Sequence, residues 1–155
     1  NKRMLEDLGV YRGRELEVLH DIRMEEFARG LEIEAAVLYD MLWEGVLPAL
    51  SKQLVLERSS LAALDGMDFE EGAPWIEYIG SLGRTKAALI SDAARLHELK
   101  GRLANMALRD RADFLAGTIV PLMDSIRAQS DAAELTIAAD VWPYPIYRNL
   151  LSLSA

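Results

Sequence analysis

Leu31, Ala35, Leu38, Leu42, Val46, Ala49 and Leu56 fall mostly three or four residues apart in the stretch LEIEAAVLYDMLWEGVLPALSKQLVL, residues 31–56. That is the period of one helix face. A second row, Ile33, Val37, Met41 and Trp43 to Val46, widens the stripe, and a helix this apolar is expected to be covered on more than one side. Pro48 lies inside the pattern. A mid-helix proline removes a backbone donor and crowds the preceding turn, so a kink is expected near Gly45 to Pro48, with the helix running on beyond it.

Upstream, Leu16, Leu19, Arg23, Phe27 and Leu31 extend the stripe back to a helix start at Arg14. Gly9 and Gly13 separate that start from a short helix expected over Asn1 to Leu8. Downstream the pattern continues through Leu54, Leu61 and Leu64 and stops at Asp65-Gly66-Met67-Asp68. Ala73-Pro74 is read as the opening of a second helix, since proline suits a first turn. Its stripe is Trp75, Ile79, Leu82, Leu89, Ala93, Leu96, Leu103 and Met106, one face held over about nine turns. A turn is expected around Ala107 to Asp110, from packing need more than from breaker residues. A third helix follows, marked by Ala112, Leu115, Ile119, Leu122, Ile126, Ala133 and Ile137. Pro121 lies within it, and Ile119-Val120-Pro121-Leu122-Met123 echoes Val46-Leu47-Pro48-Ala49-Leu50. No segment sustains strand alternation. The expected fold is all-α: one domain over residues 1–155, an antiparallel bundle of three long helices, the first kinked near Pro48, with short terminal helices.

Composition narrows the function. Hydrophobic residues make up 51% of the 155, enough for a real core. A formal charge of −8 disfavours nucleic acid. The absence of cysteine removes disulfides, thiolate chemistry and cysteine-ligated metals, and fits a reducing compartment. No apolar run approaches the roughly 20 residues of a membrane span. The chain does not begin with methionine and is read as a piece of something longer.

Candidate chemistry is thin. Glu17-Val18-Leu19-His20 is a Glu-x-x-His motif, of which di-iron bundles use two with further glutamates; only one is present, so a partly exposed histidine is expected. Gly80 to Lys86 has a superficial likeness to a phosphate loop but lacks lysine directly after its second glycine. The acidic stretch Asp65, Asp68, Glu70 and Glu71 lacks calcium-loop spacing and is read as a solvated turn. No pair of carboxylates falls in an apolar cleft, so no catalytic, cofactor-binding or metal-ligating residue is assigned.

The most distinctive stretch is the tail. Trp142, Pro143, Tyr144, Pro145, Tyr147, Leu150 and Leu151 combine helix-stopping prolines with large amphipathic rings, and predict an extended clamp laid across the bundle. Together with Pro48 and Pro121 these are the candidate structural or interface residues. The stretch WPYPIYRNLL resembles the closing motif of type III glutamine synthetases. In the same order, Glu15-Leu16 with its helix, Ile33-Glu34-Ala35 followed by Leu47-Pro48-Ala49, and Val120-Pro121-Leu122-Met123 resemble further blocks of that family. Arg148-Asn149 and Ser152 depart from its pattern. The resemblance implies a non-catalytic C-terminal structural and assembly domain. Its parent would be a cytoplasmic, ring-forming enzyme that joins ammonia to glutamate with ATP and magnesium. Neither cofactor is expected in this part. Its partners would be the upstream catalytic domain and neighbouring subunits. The alternative is a free-standing helical protein-binding or regulatory bundle.

Overall fold

The structure, a computed structural model, describes residues 13–63 and 69–145, and every regular element among them is helical. The short helices expected over 1–8 and around 146–151 lie outside the described residues. The first rod comprises α1 (Gly13–Met41), a π-helical turn (Leu42–Val46) and α2 (Leu47–Ala63). The second is α3 (Phe69–Leu103). The third comprises α4 (Leu108–Phe114), a second π-helical turn (Leu115–Ile119) and α5 (Val120–Glu134).

Cross-rod contacts set the directions. Trp75 reaches Glu57, Lys86 reaches Ser51, and the His97 ring lies against Tyr39, so the second rod runs antiparallel to the first. Tyr78 meets Thr136 and Gln129 meets Asp92, so the third runs antiparallel to the second. The arrangement is up-down-up. The core lies along the shared axis: Leu42, Leu50, Leu89, Leu96, Leu115, Ile119, Met123 and Ile126 are fully buried. Each such side chain contributes about 1.5–3 kcal/mol of burial free energy. The face expected for the third rod is buried at Ala112, Leu115, Ile119, Ile126, Ala133 and Ile137.

Both prolines are accommodated by a π-turn. In each case the residue before proline bonds five residues back: Leu47 N–H to the Leu42 carbonyl, and Val120 N–H to the Leu115 carbonyl. The widened turn relieves crowding between the proline ring and the carbonyl below it, and leaves the helix continuing. The expected break near Pro48 is therefore an inserted residue. That insertion changes the phase of the rod. Ala28, Ala35, Leu42 and Leu50 are buried at intervals of seven, seven and then eight. Gln53 follows them into the core, while Leu56, expected there, is 50% exposed.

Other expectations are corrected. Arg23 and Phe27 are exposed, and from Arg14 to Phe27 no residue is buried; Ala28 is the first core residue of α1. Of the second row, Ile33, Val37, Met41 and Trp43 are exposed rather than covered, while Gly45 and Val46 are buried. The second helix starts at Phe69, which places Pro74 inside it and Glu70 and Glu71 in its first turn, not in a loop. The first four N–H groups of any helix lack intrahelical partners; Pro74, the sixth residue, lies past them and forfeits one helical hydrogen bond. The turn between the second and third rods falls at Ala104 to Ala107, slightly earlier than expected.

Candidate functional site: the Tyr144 notch

The π-turn does more than carry Pro48. It widens the helix wall beside Gly45, and Tyr144 fills the gap. A Cβ added at Gly45 would clash with Tyr144, nearest its hydroxyl oxygen and only 2.6 Å from Cζ and 2.7 Å from Cε2. Only a residue without a side chain admits this approach. The Tyr144 hydroxyl donates to the Met41 carbonyl at 2.8 Å, one residue before the π-turn. Burial, and then the negative charge of Glu44, raises the Tyr144 phenol above its ordinary 10.0. The neutral phenol is therefore the form that is held, as its donor role requires.

Trp142 supports the ring. Its centroid is 6.1 Å from that of Tyr144, edge-on, and both side chains pack against the core. The approach to the notch is fixed by the turn after α5. The N–H groups of Val141 and Trp142 both donate to the Ala138 carbonyl, at 2.9 and 3.0 Å. Pro143 and Pro145 are exposed, and the four residues 142–145 are irregular.

That turn is itself fastened by a polar group buried in the core. Gln53 Oε1 accepts from the Ala138 N–H at 3.1 Å, and its Nε2 donates to Glu57 Oε1 at 2.7 Å. The other oxygen of Glu57 accepts from the Trp75 indole at 2.8 Å. Close by, the Tyr78 hydroxyl donates to the Thr136 carbonyl at 2.7 Å. Burial, and then Glu57, raises the Tyr78 phenol, a hydrogen bond with Gln53 opposing. One network thus ties the first rod, the second rod and the chain leaving the third.

Of the residues singled out from sequence, the structure brings Tyr144 to the π-turn that precedes Pro48 and sets Trp142 edge-on against the Tyr144 ring. Pro121 follows the other π-turn. Tyr147, Leu150 and Leu151 lie outside the described residues. Sequence reasoning missed Gly45 as a notch and Gln53 and Glu57 as a fastener. Gly45 sits three residues before a mid-helix proline, which was the available signal.

The remaining motifs do not assemble into chemistry. His20 is exposed, with Nδ1 3.6 Å from Asp21. His97 stacks on Tyr39, with centroids 5.4 Å apart, and Lys100 lies over the same ring. Gly80 to Lys86 is helical throughout, and Lys86 donates to Ser51 Oγ at 2.7 Å. That geometry does not fit a nucleotide phosphate, which needs a loop of converging backbone N–H groups. Among the described residues no three His, Asp or Glu side chains gather as a metal would need. No helix among them is long and apolar enough to cross a membrane.

Comparison with known proteins bears on what such a bundle belongs to. Residues 1–61 match the family model of the glutamine synthetase C-terminal domain. A glutamine synthetase of Bacteroides fragilis (strain YCH46) is 25% identical over 150 residues, covering 92% of this chain. The likeness to a glutamine synthetase C-terminal domain is borne out. A glutamine synthetase of Butyrivibrio fibrisolvens is likewise 25% identical, over 151 residues and 92% of the chain. The chain spans only 20% and 21% of the length of these two relatives. The notch, the fastener and both π-turns therefore lie in a region that corresponds to one fifth of a glutamine synthetase.

Proposed function

We propose that this chain is the C-terminal structural and assembly module of a type III glutamine synthetase. It carries no chemistry of its own. The parent enzyme joins ammonia to glutamate in the cytoplasm, with ATP and magnesium held by its catalytic part. The module packs against that part and against neighbouring subunits of a ring. The observation that supports this reading most is the similarity over 92% of the chain to one fifth of two glutamine synthetases. The notch adds a physical role for the tail, because Tyr144 and Trp142 fix the course of the chain after the third rod.

The test is truncation. Removing residues 142–155 from the full-length enzyme is expected to dissociate its rings, seen by sedimentation velocity, and to lower its melting temperature. Unchanged rings with an unchanged melting temperature would refute an assembly role. The 155-residue chain alone is expected to release no ADP with glutamate, ammonia, ATP and magnesium, and measured turnover would overturn its non-catalytic assignment.

A further inference from the structure

The first rod keeps an apolar row on the side away from its own core. Ile33, Val37 and Met41 stand four residues apart and are 58%, 51% and 39% exposed. Helical spacing sets them opposite Ala35 and Leu42, which are fully buried. A row of large apolar side chains facing water along two turns is unfavourable unless something covers it.

Charge says what the cover must carry. The same spacing places exposed Asp40 and Glu44 along one side of the row and Glu34 along the other. Exposed Arg29 stands one turn before Ile33 at the near end of the row, and from Leu31 to Ser51 there is no lysine or arginine. Arg127, from the third rod, reaches Glu34 at 3.3 Å on one flank, and Arg111 reaches Glu32, in helical line with Asp40 and Glu44, at 3.4 Å on the other. A second copy of this chain would bring the same carboxylates against these, at a cost in like-charge repulsion, and each copy already carries −8. An apolar helix face rimmed with lysine or arginine meets both requirements, its apolar side chains covering the row and its cations pairing the rim.

We propose that the Ile33–Val37–Met41 face docks a basic-rimmed apolar helix face contributed by the remainder of the same glutamine synthetase polypeptide. This rests on the assembly reading above and names the surface through which that assembly occurs. Tyr144 holds the Met41 carbonyl at the end of the row. The tail and the docking face therefore share one turn of helix.

Zero-length carbodiimide cross-linking of the full-length enzyme, followed by peptide mass spectrometry, tests the proposal. Asp40 or Glu44 is expected to join a lysine outside these 155 residues and within the same polypeptide. Cross-links confined to lysines of this chain, or to a neighbouring subunit's copy of it, would overturn it. A second arm uses the double variant Ile33→Ser, Val37→Ser. Both side chains are exposed, so the 155-residue chain is expected to melt within about 2 °C of the parent. The full-length enzyme carrying the same changes is expected to melt lower. An unchanged full-length melting temperature sinks the docking face. If truncation at residue 142 still dissociates the rings, only the docking face fails and the assembly reading stands.

Discussion

Gly45 is the residue on which the notch turns. Within an ordinary helix, glycine to alanine gains about 1 kcal/mol. Here the added methyl group would clash with the Tyr144 hydroxyl and the adjoining ring edge. Gly45→Ala is therefore expected to lose about 1–3 kcal/mol in urea unfolding, the usual result of overpacking. In a Tyr144→Ala background the same change should become neutral or stabilising, because the clash is gone; a cycle showing no coupling between the two sites would place Tyr144 elsewhere. The hydroxyl gives a second handle. Its pKa is raised in the folded chain, so its stabilisation is fully present below the unfolded value of 10.0 and is lost as pH rises through the higher folded value. The ionised phenolate has no proton to donate to Met41 and is repelled by Glu44. Alkaline titration is expected to show a loss of stability above pH 10 that is smaller in Tyr144→Phe, followed by phenolate absorbance alongside helical ellipticity. Tyr78, raised as well, remains in both proteins and sets the background.

At the scale of elements, each proline is matched by a π-turn that adds one residue to its rod. The consequence is a change of core register that leucine substitutions can read. Leu50→Ala is expected to cost about 2–5 kcal/mol, whereas Leu56→Ala should cost much less, since Leu50 is fully buried and Leu56 is half exposed. Equal losses would mean that the rod keeps one phase through Pro48. The fastener joins elements differently. Gln53→Leu preserves bulk but strips the Ala138 N–H and Glu57 of their partner. A loss of about 1–3 kcal/mol is expected for the unsatisfied groups, measured by denaturant unfolding.

For the whole molecule, net charge is expected to oppose folding more than the surface ion pairs support it. Arg84 with Glu77, and Arg127 with Glu34 and Asp124, are exposed pairs of small worth. The net charge is −8. Raising salt from about 0.01 M to about 0.15 M shortens the screening length from roughly 30 to 8 Å and weakens that self-repulsion. The melting temperature of the 155-residue chain is expected to rise. A fall would show that its ion pairs outweigh its net charge. The exposed row on the first rod adds a second whole-molecule feature, an apolar face that the described bundle leaves uncovered.

Helix identity, rod number and most core positions were set locally. Apolar residues at helical spacing, as at Leu82, Leu89, Ala93 and Leu96, leave a rod one face to bury, whatever it packs against. The positions of both backbone irregularities were equally local, because proline's missing donor acts within its own turn. Three things belonged to tertiary structure. Leu56 left the core because the π-turn, not a bend, absorbed Pro48. Gly45 became a notch because Tyr144, 99 residues later in the chain, enters it. Ile33 and Val37 stayed exposed because the other two rods pack on the opposite side. Periodicity shows that a face is apolar, but only the arrangement of distant segments decides which apolar face is covered and by what.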